Sequence, residues 1–193
     1  MMADVLIRES GRKESGFYLY EHEKLASVLK TLVAEQQKTI LIGVSFALLD
    51  FGEQYRMDLE EIVIMETGGM KGRRAEITRA ELHKELIKDF KVSSIHSEYG
   101  MTELLSQAYS AGDGIFKCPP WMKAMVREED DPLSVQQSGK GILNIIDLAN
   151  IYSCSFIATD DIGIVSADGS FEVQGRMDNS DVRGCSLMVS DMR

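Results

Sequence analysis

Apolar residues recur at helical spacing across residues 21–36, where Leu25, Val28, Leu29, Leu32 and Val33 share one face. That spacing predicts an amphipathic helix. Residues 39–43 (TILIG) and 61–65 (EIVIM) are short runs of branched apolar residues, the pattern of strands covered on both faces in a parallel sheet. Residues 78–90 open with Thr78 and Glu81 in capping-box spacing and then set Leu82, Leu86, Ile87 and Phe90 along one face, which predicts a second helix. Residues 92–96 supply a third strand that runs into Glu98, Tyr99 and Gly100. Such alternation is the signature of β-α-β units. After about Ser110 the period changes. Residues 141–147, 155–159, 162–166 and 171–175 read as strands, and Asp168-Gly169 is a turn signal that makes 162–175 a hairpin. The expected fold is α/β, a mostly parallel sheet with flanking helices over residues 1–110. A small, mainly antiparallel β subdomain follows over residues 111–193 and ends in a hinge or tail.

Composition narrows the function. The 193 residues, 44% apolar and 27% charged with three prolines, suit a folded chain of one domain or two small ones. A net charge of −10 repels phosphate backbones and argues against a nucleic-acid partner. The longest apolar run, residues 39–49, falls short of the roughly 20 residues that cross a bilayer, so no membrane span is expected. Charges interrupt the N-terminus where a secretory signal needs its apolar segment. The three cysteines, Cys118, Cys154 and Cys185, are odd in number and widely spaced, and the chain reads as a reduced, cytoplasmic protein. The acidic run 128–131 reads as a solvated loop.

In an open parallel sheet, ligands sit beyond the carboxyl ends of the strands. Those ends fall here at residues 43–45, 67–69 and 99–102, all rich in glycine or hydroxyl groups. Glycine lets backbone N–H groups approach a phosphate or a planar ring, so a nucleotide-sized ligand fits, as do ordinary turns. The established phosphate-loop, nucleophile-elbow and metalloprotease motifs are absent, and GGMKGRR at 68–74 has the wrong spacing for a phosphate loop. His22 and His83 are expected on solvated helix surfaces, and His96 lies just ahead of the expected crevice.

Three segments then occur in a telling order: HSEYGMTE at 96–103, ATDDIG at 158–163, and GRMD at 175–178 followed by Arg183-Gly184. Their order and spacing resemble those of adenylate-forming enzymes. Within that superfamily, ETGGMKGRR and DVRGCSL look most similar to the LuxE family of acyl-protein synthetases, with phenylacetate–CoA ligases next. The resemblance implies activation of a fatty or other carboxylic acid by ATP through an acyl-adenylate, with ATP or AMP and Mg²⁺ bound. It places Tyr99 against the adenine, with Gly68, Gly69 and Gly100 in loops beside it. Thr102 gives its hydroxyl to the α-phosphate, Glu103 holds Mg²⁺, Asp161 grips the ribose diol, and Arg176 contacts ribose or phosphate. Thr102, Glu103 and Cys185 are thus the catalytic candidates, Cys185 as a thiol that accepts the acyl group, favoured by nearby Arg183. Each residue alone also fits a plain role: a helix start, a core aromatic, a turn cap, a surface ion pair or a buried small residue.

The chain also departs from the family. No Ser/Thr/Gly-rich phosphate loop precedes these motifs, no lid domain with its lysine follows, and Asp160 stands where glycine is commoner. The expectation is the C-terminal portion of a large domain, a fragment or short natural chain with an incomplete site. Its partners would be the missing N-terminal portion or a complementing chain, an acyl reductase, or a second copy through an exposed sheet edge. A non-catalytic nucleotide-binding or partner-completing module and a phenylacetate–CoA ligase-like fragment are the alternatives.

Overall fold

The computed structural model describes residues 2–69, 74 and 77–177. The chain begins with α1 (Met2–Ser10), which periodicity did not reveal because its apolar Val5 and Leu6 stay exposed and mark no buried face. Helix α2 (His22–Ala34) buries Leu29 and Leu32 of the predicted face together with Ala26, which was not among the expected positions, while Leu25, Val28 and Val33 are half-buried. Strand β1 (Thr39–Val44) passes directly into α3 (Ser45–Gln54), a helix hidden in the sequence because no breaker separates the two. Gly43 makes the junction possible, since a Cβ there would lie 2.9 Å from the Leu48 side chain. Strand β2 (Ile62–Thr67) and α4 (Arg79–Phe90) follow, and the capping box of Thr78 and Glu81 is formed in full.

The third strand, β3 (His96–Tyr99), lies later than the expected 92–96. Val92 and Ile95 are buried as their apolar character requires, but the ladder forms on the polar residues after them. Strand β4 (Ala108–Ser110) closes a four-stranded sheet of order β1-β2-β3-β4, parallel except for β4. Ile62 and Ile64 of β2 share one core with Leu29 of α2, Leu48 of α3, and Leu86 and Phe90 of α4. Each such full burial stabilises by roughly 1.5–3 kcal/mol. Val63, Met65 and Thr67 alternate onto the opposite face and are only half-buried.

A second, wholly antiparallel sheet contains β5 (Ile115–Phe116), β6 (Met122–Arg127), β7 (Val135–Gln136), β8 (Gly139–Asp147), β9 (Phe156–Val165) and β10 (Phe171–Arg176). Its order is β5-β10-β9-β8-β6-β7. The two strands expected at 155–159 and 162–166 are one, with Asp160 and Asp161 inside it rather than in a turn. The 162–175 hairpin forms, with Gly169 at φ +84° in its tip. The core under this sheet joins Tyr99 to Phe116, Leu143, Val165 and Phe171, so β3 ends in the second core. Residues 128–131 are exposed, as expected. Among the described residues no helix is long and apolar enough to cross a membrane.

Candidate functional site

The carboxyl ends of β2 and β3 lie side by side, with Thr67 opposite Glu98. Beyond β2 the chain turns at Gly68, which holds φ +70°, a conformation that favours glycine. Ser45, the first residue of α3 just past β1, shares its one hydroxyl proton between the Gly68 carbonyl and Glu66 Oε2, 3.1 Å away, so one buried serine ties the first two strand ends together. Gly69 is exposed, and an added Cβ there would meet nothing within 4 Å. Arg74 is bound bidentately by Glu53 and contacts Asp50, both on α3.

Tyr99, Asp161 and Arg176 come together through two irregularities in the second sheet. Between β8 and β9 the register shifts after Ile142, and Thr159 bridges the irregularity by donating its hydroxyl to the Leu143 carbonyl at 2.8 Å. Arg127 braces the same spot, donating to Asn144 Oδ1 at 2.6 Å and to the Thr159 carbonyl at 2.8 Å. Between β9 and β10 a bulge falls between Val173 and Gly175. Its extra residue puts Arg176 opposite buried Asp161, where an unbroken ladder would put it opposite exposed Asp160. Arg176 Nε is 3.1 Å from Asp161 Oδ1, and the Tyr99 hydroxyl donates to Oδ2 at 2.8 Å. Burial first, then the Asp161 charge, pushes the Tyr99 phenol far above its ordinary value, so it stays protonated and remains a donor. Each carboxylate oxygen of Asp161 keeps a further lone pair for a ligand hydroxyl. The Tyr99 ring packs edge-on against Phe171, at 5.2 Å between centroids, and is only 7% exposed. It is a core aromatic whose polar tip positions Asp161, and at most a rim of it is open to an adenine.

Thr102 and Glu103 are exposed, in the loop that follows Gly100. That loop is anchored by a residue the sequence reading did not single out. Asp147, fully buried at the end of β8, accepts from the Leu105 N–H at 2.9 Å, the Ser106 N–H at 2.8 Å, the Ser106 hydroxyl at 2.7 Å and the Ala149 N–H at 3.1 Å. Burial pushes its pKa up, but these donors together hold it below the ordinary range. Asn150 adds a 2.8 Å bond to the Glu103 carbonyl, and Trp121 donates to the Ser106 hydroxyl at 2.8 Å. The signal was a lone acid ending an apolar strand, a position where burial demands partners.

A second buried carboxylate lies behind the crevice. Glu66 receives Ser45 at 3.1 Å and Arg79 Nε at 3.2 Å, and His83 Nε2 lies 3.7 Å away. Burial raises its pKa, but the polar surroundings of His83, Ser97 and Ser45 together with the Arg79 charge leave it lowered. His83 is therefore buried, not solvated as expected, because Glu66 gives the α4 face a polar partner. Ser97 and His83 Nε2 are 3.2 Å apart, yet this is no catalytic triad: one ring nitrogen meets both groups, and Ser97 is wholly buried. Arg79 also donates to the Val173 carbonyl at 3.1 Å and lies over the Phe116 ring, joining Glu66 to the second sheet.

His96 does not reach the crevice. It lines a shallow pocket with Glu60, Glu61 and Ser94 at the other end of the sheet. Cys118 and Cys154 are free thiols, and burial pushes the Cys118 pKa up, away from a reactive thiolate. Cys185 lies outside the described residues. Among the described residues no group of three or more His, Cys, Asp or Glu could hold a metal ion.

Residues 17–192 match the family model described as acyl-protein synthetase, LuxE. The chain is similar to the long-chain-fatty-acid–luciferin-component ligase of Aliivibrio fischeri, 23% identical over 145 residues, covering 69% of this chain and 38% of that protein. Its fold is similar to ATP-bound MatB from Rhodopseudomonas palustris, with TM-score 0.59 and 15% identity, covering 83% of this chain and 34% of that one. It is also similar to the O-succinylbenzoate coenzyme A synthetase of Bacillus subtilis, solved in complex with AMP, with TM-score 0.51 and 19% identity, covering 80% and 42%. The chain thus spans well under half the length of the relatives it matches. With a family match over nearly all of its residues, the chain belongs to the LuxE family of acyl-protein synthetases.

Proposed function

We propose that this chain forms the nucleotide-gripping part of an enzyme that activates a fatty or other carboxylic acid as its acyl-adenylate. The observation that carries this reading is Asp161, a buried carboxylate aimed by Tyr99 and Arg176 at the end of β3 where the Thr102–Glu103 loop begins. A carboxylate fixed on two sides, with lone pairs to spare, suits a ribose diol. Arg176, half exposed, is a permanent cation beside it for ribose or phosphate. By the family resemblance, Gly68, Gly69 and Gly100 would lie beside the adenine plane.

In the reaction a carboxylate oxygen of the acid attacks the α-phosphorus of ATP. The bond from that phosphorus to the bridging oxygen breaks, and pyrophosphate leaves with the electron pair. Negative charge builds on the α-phosphate oxygens, where the Thr102 hydroxyl is the donor of this chain. Mg²⁺ would neutralise the phosphates, and Glu103 would hold it. A single exposed carboxylate fits an ion that arrives on the nucleotide, since Mg²⁺ is commonly bound by one or two carboxylates plus substrate phosphates. In a second step the Cys185 sulfur would attack the acyl carbonyl, lose its proton and release AMP, leaving a thioester for an acyl reductase partner.

Pyrophosphate release with fatty acids, measured on this chain and on a longer relative, tests the first step. The relative, given ATP and labelled fatty acid, is expected to carry hydroxylamine-sensitive label that disappears in Cys185→Ser while pyrophosphate release continues. Label undiminished in that variant removes the cysteine from the mechanism and favours transfer to coenzyme A. AMP binding by this chain without turnover identifies it as a nucleotide-binding module that a further segment or chain completes.

A further inference from the structure

Arg79 is the first residue of α4, so its cation sits at the positive end of the helix dipole, where an acid would add stability and a base does not. Its side chain instead enters the seam between the two sheets. Nε is 3.2 Å from Glu66 Oε1, the guanidinium lies over the Phe116 ring at 5.0 Å, and Nη1 donates to the Val173 carbonyl at 3.1 Å. Gly114, at φ +70°, leaves it the space, since a Cβ there would stand 3.2 Å from Arg79 Cδ. One arginine therefore reaches from a buried acid on β2 to the backbone of β10.

Val173 is the residue at which β10 leaves its ladder. On one side β5 pairs with β10 at Phe171 and Glu172 and, among the described residues, goes no farther. Arg79 supplies a donor just past that end. On the other side Val173 faces Gly163, and the next rungs are Gly175 opposite Ile162 and Arg176 opposite Asp161, so Gln174 is the residue in excess. The exposure pattern agrees: Phe171 is buried and Val173 half-buried, whereas Gln174 and Gly175 are both exposed. The Met177 N–H donates to the Asp160 carbonyl at 3.0 Å and carries the shifted register onward. A bulge costs a disrupted rung, and an unbroken ladder would pair Gly175 with Asp161 and turn Arg176 to Asp160. A contact from outside the two strands can decide between these registers, and Arg79 is the side chain that grips the first bulge residue.

Building on the acyl-activation reading, we propose that Arg79 is a positioning residue for the nucleotide. Its bond to Val173 fixes where the bulge falls, and the bulge sets Arg176 opposite Asp161 at the ribose grip. Glu66, itself held by Ser45, anchors the arginine from the first sheet. In this role Arg79 meets no ligand and acts through Arg176.

Calorimetry of AMP binding to this chain tests the role. Arg79→Lys is the probe, because lysine keeps the charge beside Glu66 but cannot fork to two acceptors, and Arg79→Gln repeats the test without the charge. Arg79→Lys and Arg176→Lys are each expected to weaken AMP about tenfold, and the double variant also about tenfold, because the second change removes a contact the first has already lost. Independent effects would multiply to about a hundredfold. Deletion of Gln174 makes the same pairing bulge-free, since Val173, Gly175 and Arg176 then meet Gly163, Ile162 and Asp161 as consecutive rungs. In that background Arg79→Lys should change AMP affinity by less than about twofold, a rescue that a merely stabilising arginine would not show. The pair of lysine variants decides the matter even where the shortened chain does not fold. Arg79→Lys binding AMP like the parent, the full multiplied loss in the double variant, or a loss undiminished after the deletion each overturn the role and leave the acyl-activation reading standing. A parent chain that binds no AMP overturns both.

Discussion

Replacing Asp147 by alanine should cost far more than any exposed acid, because it removes an acceptor that four donors share. Three of those donors are backbone N–H groups and the fourth is the Ser106 hydroxyl, at 2.7 to 3.1 Å, all around a residue with no exposed surface. Hydrogen bonds to a charged group are worth about 1.5–3 kcal/mol each, but water entering the vacated space recovers part of the loss. A net destabilisation of about 4 kcal/mol follows, which for a chain of this size lowers the melting temperature by about 8–16 °C. Asp147→Asn keeps one acceptor oxygen and should lose about half as much. Circular-dichroism melting of Asp147→Ala, Asp147→Asn and the exposed control Glu129→Ala is the assay. The same set titrated with AMP should show both Asp147 variants weakened, because the loop carrying Thr102 and Glu103 loses its anchor. An Asp147→Ala protein melting within about 2 °C of the control would refute the reasoning.

Arg176→Lys should leave stability nearly unchanged, since a half-exposed ion pair is worth about 1 kcal/mol at most, yet weaken AMP binding about tenfold in calorimetry. Gly163→Ala should destabilise by about 1–3 kcal/mol on chemical denaturation, because its Cβ would press on the Glu172 carbonyl and lie 2.9 Å from Leu143. Glu66 and Asp147 both have lowered folded-state pKa values, so the stability they add is complete above their unfolded values and lost as pH falls through the folded ones. Melting temperature should therefore drop steeply below about pH 4, and Glu66→Gln should flatten part of that drop.

Apolar periodicity exposed the elements that bury one regular face, as in α2 and α4, and the capping box at Thr78 was visible residue by residue. It missed α1, whose apolar residues bury no face, and α3, which continues β1 without a breaker. Strand β6 escaped because its alternation spans only Met122, Ala124 and Val126 before the acidic run. The Tyr99, Thr102, Asp161 and Arg176 motifs stood out by resemblance, but the bulge that brings Arg176 to Asp161 is a matter of register that no motif encodes. Asp147 and Glu66 were illegible for a related reason. A buried acid looks like a surface acid until the strand that hides it is placed.

The account centres on Asp161 as a ribose-gripping carboxylate, and the most direct measurement compares AMP with its dideoxyribose analogue by calorimetry. The parent chain should bind AMP about tenfold or more tightly than the analogue, as expected from loss of hydrogen bonds between the diol and a charged group, and Asp161→Asn should make the two nearly equal. Equal binding of both nucleotides to the parent, or no binding of AMP, would contradict the account.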